Sequence, residues 1–240
     1  MFPLDLIEKQ LISNMKTITD SLRVIEFPMN FMGLELGRRV SILQLRKGQW
    51  LIHSTGPFSP GDVEQIRALG SPVAMMETTT LHDTFSREGQ AAFPDLPYMV
   101  PESFPRKRLL EQAMPLTESR KVVEDSVTLI RLQGMRSIEE WTCFHPPSRT
   151  LIVGDLLLNL TYFKGWQAWA MRHLARVKSW PAIDLPFRMA IKDKTAFQAS
   201  LQAIAALDFD RIVPAHGAII EAGAKPIFYK AAEDAGIQLN

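Results

Sequence analysis

Arg149-Thr150-Leu151-Ile152-Val153-Gly154-Asp155 and Asp210-Arg211-Ile212-Val213-Pro214-Ala215-His216-Gly217 decide how this sequence folds. Each is an apolar run rich in β-branched residues that stops at a single metal-ligand type. A glycine stands directly before Asp155 and directly after His216. Short apolar runs of this kind read as buried strands. A strand that ends abruptly at Asp or His leaves that side chain on the rim of a sheet, where layered α/β proteins collect their binding groups.

Upstream, Leu22 to Phe27, Arg39 to Leu45 and Trp50 to His53 read as successive strands separated by glycine-containing breaks. Ser59-Pro60-Gly61-Asp62 opens a helix, with Ser as N-cap, Pro in the first turn and an acid facing the exposed amides. Gly70 closes that helix, and Pro72 to Met76 is a second strand leading into Glu77-Thr78-Thr79-Thr80-Leu81-His82-Asp83. Strand, helix and strand in this order predict a parallel pair joined by a crossover. Further on, the pattern predicts a helix over 84–92, an extended piece at 98–100 and a helix over 106–113. Strands are predicted over 126–132, 139–144 and 150–153, the last two forming a hairpin through His145-Pro146-Pro147-Ser148. Leu160, Phe163, Trp166, Ala170 and Leu174 form an apolar stripe at helical period, with core packing as the ordinary reading of its aromatics. Asp193 to Leu207 reads as a helix capped by Asp193, and a last helix is expected near 227–235. The whole predicts one α/β domain over 1–240, a four-layer αββα sandwich with an added helical segment near 157–180.

Composition narrows the function. With 27 basic against 26 acidic residues, the net charge is +1 and nothing calls for nucleic acid or an anionic membrane as partner. One cysteine, Cys143, excludes an internal disulfide, fits a reducing compartment, and reads as buried core. Met1-Phe2-Pro3-Leu4-Asp5 lacks the basic start of a signal peptide, and the apolar stretch around Leu151 to Leu160 is broken by Asp155 and Asn159. The expectation is a cytoplasmic protein acting on a small-molecule substrate, with a homodimer as one further expectation. Acyl-transfer elbows, phosphate loops, dinucleotide fingerprints and Cys-x-x-Cys pairs do not occur.

Of five histidines, His173 reads as a surface or packing residue of a helix, His145 as exposed in its hairpin turn, and His53 as either facing a pocket or part of the core or rim. His82 and His216 stand apart because each follows a strand end. Two imidazoles with two carboxylates suit Zn, Fe or Mn better than Ca or Mg.

Leu-Ile-Val-Gly-Asp155 and Val-Pro-Ala-His216-Gly resemble the later metal-ligand motifs of the metallo-β-lactamase fold, and the likeness extends from about Leu22 to Gly217. That fold typically binds two metals through a His-x-His-x-Asp-His turn, a further His on a strand, a bridging Asp and a final His. Here Thr78 and Thr80 stand at the two leading His positions, and His82-Asp83 close the turn with the residue types exchanged. Leu132-Gln133-Gly134-Met135 takes the place of the strand histidine. The resemblance therefore implies that the first metal has lost all its histidines, whereas His82, Asp83, Asp155 and His216 remain for one Zn or Fe ion. It implies a hydrolase of a small ester, thioester, lactone or phosphoester, with Asp83 and Asp155 as catalytic residues. Four protein ligands would close a tetrahedral site, so Asp83 is also read as a base, with Thr78, Thr80 or Glu77 orienting water. The alternative is a metal-free binding protein that keeps the fold.

Overall fold

In the computed structural model, described here for residues 15–46, 48–110, 113–123 and 125–239, the alternation of side chains along the strands explains the layers. The larger sheet holds β1 (Met15–Thr19), β2 (Leu22–Phe27), β5 (Arg38–Arg46), β6 (Gln49–His53), β7 (Ser71–Met76), β8 (Tyr98–Val100) and β9 (Met114–Pro115), side by side in that order. β3 (Asn30–Phe31) and β4 (Leu34–Glu35) form a separate small hairpin. The second sheet is β10 (Thr128–Arg131), β11 (Trp141–His145), β12 (Thr150–Val153) and β13 (Arg211–Pro214).

Neighbouring residues on a strand point to opposite faces. Leu22 and Val24 of β2, Leu51 of β6 and Ala74 and Met76 of β7 therefore share one face of the large sheet. They meet Cys143, Ile152 and Val213 from the second sheet in a common core. The residues in between (Ile25, Ile42, Ile52 and Met75) turn the other way and pack with Ile66 of helix α1 (Pro60–Ala68), and with Phe93 just beyond α2 (Ser86–Ala92). On the second sheet, Phe144, Leu151, Val153 and Ile212 face outward. They are covered by Phe187 of α4 (Leu185–Met189), Phe197 and Leu201 of α5 (Lys194–Ala205) and Phe228 of α6 (Ala224–Asp234). The layers run αββα, as the sequence predicts.

The parallel pairs place the chemistry. β6 pairs parallel with β7, and β12 with β13, so β7, β12 and β13 each bring a C-terminal end to a loop that carries a ligand type. Ser59 caps α1 by accepting from the Asp62 amide on its hydroxyl, and its own amide donates in return to the Asp62 carboxylate, a full capping box. Asp193 caps α5 by accepting from the Ala196 amide.

Several expectations need correction. The predicted helix over 106–113 contracts to one 3-10 turn at Arg106–Arg108, because Leu109 is already extended. The stripe from Leu160 to Leu174 does not share one helix, since α3 spans only Gly165–His173. Leu160, Phe163 and Met171 are buried, whereas Trp166, Trp169 and Leu174 face outward. His145 is fully buried rather than exposed: its Nε2 donates to the Gln44 carbonyl at 2.8 Å, and its Nδ1 lies 2.7 Å from the Ser148 hydroxyl. His173 is exposed as expected, its ring stacked on Trp169. The start of the chain, on which the expectation about a signal peptide rests, lies outside the described residues. Among the described residues, no helix is long and apolar enough to cross a membrane.

Cys143 lies between the sheets, where burial pushes its thiol up to about 12. Little thiolate exists there at neutral pH, and no reagent reaches it without opening the sandwich. A colorimetric thiol reagent should therefore label the native protein negligibly and take up one equivalent in denaturant. Prompt labelling of the native chain would contradict this packing.

Candidate metal centre

His82 comes from the Thr-rich turn after β7. Asp155 follows β12 and His216 follows β13. Their ligand atoms all lie within 4.8 Å of one another. His82 Nε2 is 3.2 Å from His216 Nε2 and 3.2 Å from Asp155 Oδ2, and His216 Nε2 is 3.5 Å from Asp155 Oδ1. Two atoms each about 2.0–2.1 Å from a tetrahedral ion lie about 3.3 Å apart. The three contacts are close to that spacing, although the two to Asp155 end on different oxygens of its carboxylate.

The proton positions point the same way. His216 Nδ1 sits 2.6 Å from the Gly37 carbonyl, which can only accept, so this nitrogen carries hydrogen and Nε2 of the neutral ring is a bare lone pair. His82 Nδ1 likewise faces the Glu77 carboxylate at 3.5 Å. Two neutral rings held in this way would aim lone pair at lone pair across 3.2 Å. A cation between them removes the conflict, whether a proton or a metal ion. In the absence of metal that proton belongs to His82. Burial and Arg38 push its pKa down, but the carboxylates of Asp155 and Glu77 outweigh them and raise it to about 9. Burial dominates at His216 and lowers it to about 4. Burial alone would raise Asp155, yet His82 and then His216 hold its carboxyl well below the usual carboxylate range. Two neutral imidazoles and a carboxylate form a donor set that zinc and iron accept.

Each ligand is held by its own support. The Arg38 guanidinium pairs with Glu77 at 2.7 Å, both buried, and Ser54 and the Thr78 amide also donate to that carboxylate. Losing either partner of such a pair costs about 3–5 kcal/mol. The Asp155 turn is clamped by buried Glu140, whose carboxyl accepts from the amides of Asp155 at 3.2 Å and Leu156 at 2.8 Å. Burial first, then Asp155, raises Glu140 to about 8. A Cβ on Gly154 would come within 3.1 Å of the Glu140 carboxyl, so the residue before Asp155 has little room for a side chain. The turn bearing His82 is tied to the second sheet, since the Trp141 amide donates to the Thr78 carbonyl and the Thr80 amide to the Glu139 carbonyl.

Asp83 is left out of the triangle. Its Oδ2 accepts from Arg108 Nε at 3.1 Å, on the partly exposed side of the turn. The water-orienting expectation for Thr78, Thr80 and Glu77 also changes, because their polar atoms are committed elsewhere. Thr78 Oγ1 lies 3.2 Å from His53 Nε2, Thr80 Oγ1 accepts from the Glu139 amide, and Glu77 is fully buried against Arg38. Sequence reading missed Glu140 and Arg38. Glu140 sits inside an otherwise strand-like run, where a single acid is the only signal it leaves. A small cavity of about 10 Å³, room for one water, is lined by His53, Thr78 and His82.

No protein-family model matches the sequence, and no curated protein matches it. Solved structures do. The DIM-1 metallo-β-lactamase superposes with a TM-score of 0.61 at 14% identity, over 92% of this chain and 97% of that one. A metallo-β-lactamase from Pontibacter korlensis gives 0.57 at 12%, over 89% and 97%. FIM-1 from Pseudomonas aeruginosa, in its mono-zinc form, gives 0.58 at 14%, over 93% and 96%. The chain has the metallo-β-lactamase fold.

Two predictions test this geometry. Gly217 adopts φ +92°, and a Cβ there would collide with the Asn159 backbone beneath His216. Gly217→Ala should cost at least ~2 kcal/mol, roughly 4–8 °C in Tm; a Tm unchanged by calorimetry would refute the close approach. His53 is the second case. Burial outweighs the pull of Glu77 and lowers it to about 4. Its folded pKa lies below the unfolded value, so the unfolded chain binds the extra proton and stability falls as pH drops from about 6.5 toward 4. His53→Asn should remove about 3 kcal/mol of that acid-dependent loss in urea titrations. Parallel pH profiles for the two proteins would exclude the effect.

Proposed function

We propose that this protein is a hydrolase of a small ester, thioester, lactone or phosphoester that uses one metal ion, zinc or iron, held by His82, Asp155 and His216. One observation carries the reading: three donors converge, and the fourth candidate, Asp83, is turned away onto Arg108. A four-ligand site would be closed, whereas three protein ligands with one vacant position is the arrangement of catalytic zinc sites. An ion there would supply Lewis acidity toward a carbonyl or phosphoryl oxygen and lower the pKa of a water.

The chain's own residues supply the rest. His216 is fixed by Gly37 and His82 by Glu77, so both rings present Nε2 to the same point before any ligand arrives. Asp155 is the most exposed of the three and offers two oxygens. One can hold the ion while the other accepts a proton from an attacking water. We read Thr78 and Thr80 as the remains of a first metal position that no longer holds metal. Thr78 is engaged with His53 and Thr80 with Glu139.

Elemental analysis of protein purified without a His-tag should find about one equivalent of zinc or iron. Metal affinity should fall at least ~100-fold in Asp155→Ala and His216→Ala. Asp83→Asn should keep both the metal and the hydrolysis of generic esters or phosphoesters. Metal far below one equivalent and insensitive to His216→Ala would sink the proposal and leave a metal-free binding protein.

A further inference from the structure

From Leu156 to Ile183 the chain carries Lys164, Arg172, Arg176 and Lys178 and not one Asp or Glu. Without these four cations the chain has 23 basic against 26 acidic residues, so the near-neutral total conceals a basic segment on an otherwise acidic protein. Lys178 lies near Asp234, but Lys164, Arg172 and Arg176 form no ion pair among the described residues.

The same segment exposes its largest apolar side chains. Trp166 and Trp169, three residues apart on α3, are 59% and 57% exposed, and Leu174 is 66% exposed just past the helix end. The β3–β4 hairpin extends this surface. Gly33 packs at the edge of Trp166, where a Cβ would be 3.5 Å from the indole, and Met32 beside it is 84% exposed. Two of these outward side chains occupy backbone positions that favour glycine, Met32 at φ 50° and Arg176 at φ 52°.

We infer that the face formed by Met32, Trp166, Trp169 and Leu174, rimmed by Lys164, Arg172 and Arg176, docks on an anionic phospholipid bilayer. Indole rings beside cations are the pattern of the headgroup zone, where aromatic bodies enter the interface and Lys and Arg meet the negative surface. The contact lies on the membrane, since no described helix could span one. A second copy docked through the same face would set like charges against one another. Bases could stack on Trp166 and Trp169 but would leave aliphatic Met32 and Leu174 without a partner, whereas a bilayer interface takes up both kinds of side chain. This departs from the expectation drawn from net charge, and it stands whether or not the metal centre is catalytic.

Co-sedimentation of the full chain with vesicles tests it, comparing phosphatidylcholine alone with phosphatidylcholine mixed with phosphatidylglycerol. Three cations at the surface should favour the anionic vesicles on the order of 100-fold at low salt, with added salt reversing the gain. Lys164→Gln combined with Arg172→Gln and Arg176→Gln should abolish that preference. Trp166→Ser with Met32→Ser should weaken binding on the order of 10-fold while circular dichroism stays unchanged, both residues being exposed. Equal binding to the two vesicle types, no binding to either, or a triple variant that behaves like the parent would overturn the inference. So would self-association that shields the tryptophans, or preference for single-stranded RNA over vesicles.

Discussion

The structure turns on a conflict between two lone pairs. Gly37 fixes the proton of His216 on Nδ1, Glu77 draws that of His82 to the same atom, and the two Nε2 atoms then face each other at 3.2 Å. A positive charge in the gap reconciles them, as does the neutral His82 tautomer that donates from Nε2 to His216 or Asp155. The surrounding network follows from that need. Asp155 supplies negative charge beside the gap, and Arg38 neutralises Glu77 so that the second carboxylate orients His82 without being an unpaired buried charge. Glu140 holds the Asp155 turn by accepting two amides, and burial, then the neighbouring Asp155, push its carboxyl pKa upward, which weakens the build-up of negative charge there.

Much of this was legible in sequence because burial leaves a periodic trace. The run Thr150 to Val153 ending in Gly154-Asp155, and Arg211 to Pro214 ending near His216, could be read as strand ends since uninterrupted apolar β-branched runs fit only the interior of a sheet. Ser59 and Asp193 announced their helices through local capping chemistry, which depends on neighbours a few residues away. His82 and His216 could be paired only by the family likeness, because 134 residues separate them and spacing alone says nothing about their meeting.

What escaped reading was decided by tertiary partners. Asp83 and His82 are adjacent, yet one faces the ligand point and the other faces Arg108, a choice set by the turn's path. His145 looked like a loop residue because Pro146-Pro147 follow it, but β5 lies alongside and offers the Gln44 carbonyl. The stripe through Trp166 has helical period although Gly165 at φ 53° starts a new helix within it, and that break rotates Trp166 and Trp169 to the outside. Hydrophobic period reports that a face is apolar; it does not report whether protein or something else covers that face.

The residues on the two sides of the candidate site differ in how their polar groups are satisfied. Thr78 and Thr80 are smaller than histidine and are each satisfied by a single side-chain hydrogen bond, and the cavity beside Thr78 has room for one water. His82, Asp155 and His216 have no such substitute. Each is already buried or half-buried and oriented by a separate element, and Gly154 and Gly217 are shaped so that the backbone can bring them together. Two imidazoles around one carboxylate form a donor set that either a shared proton or a metal ion could bridge.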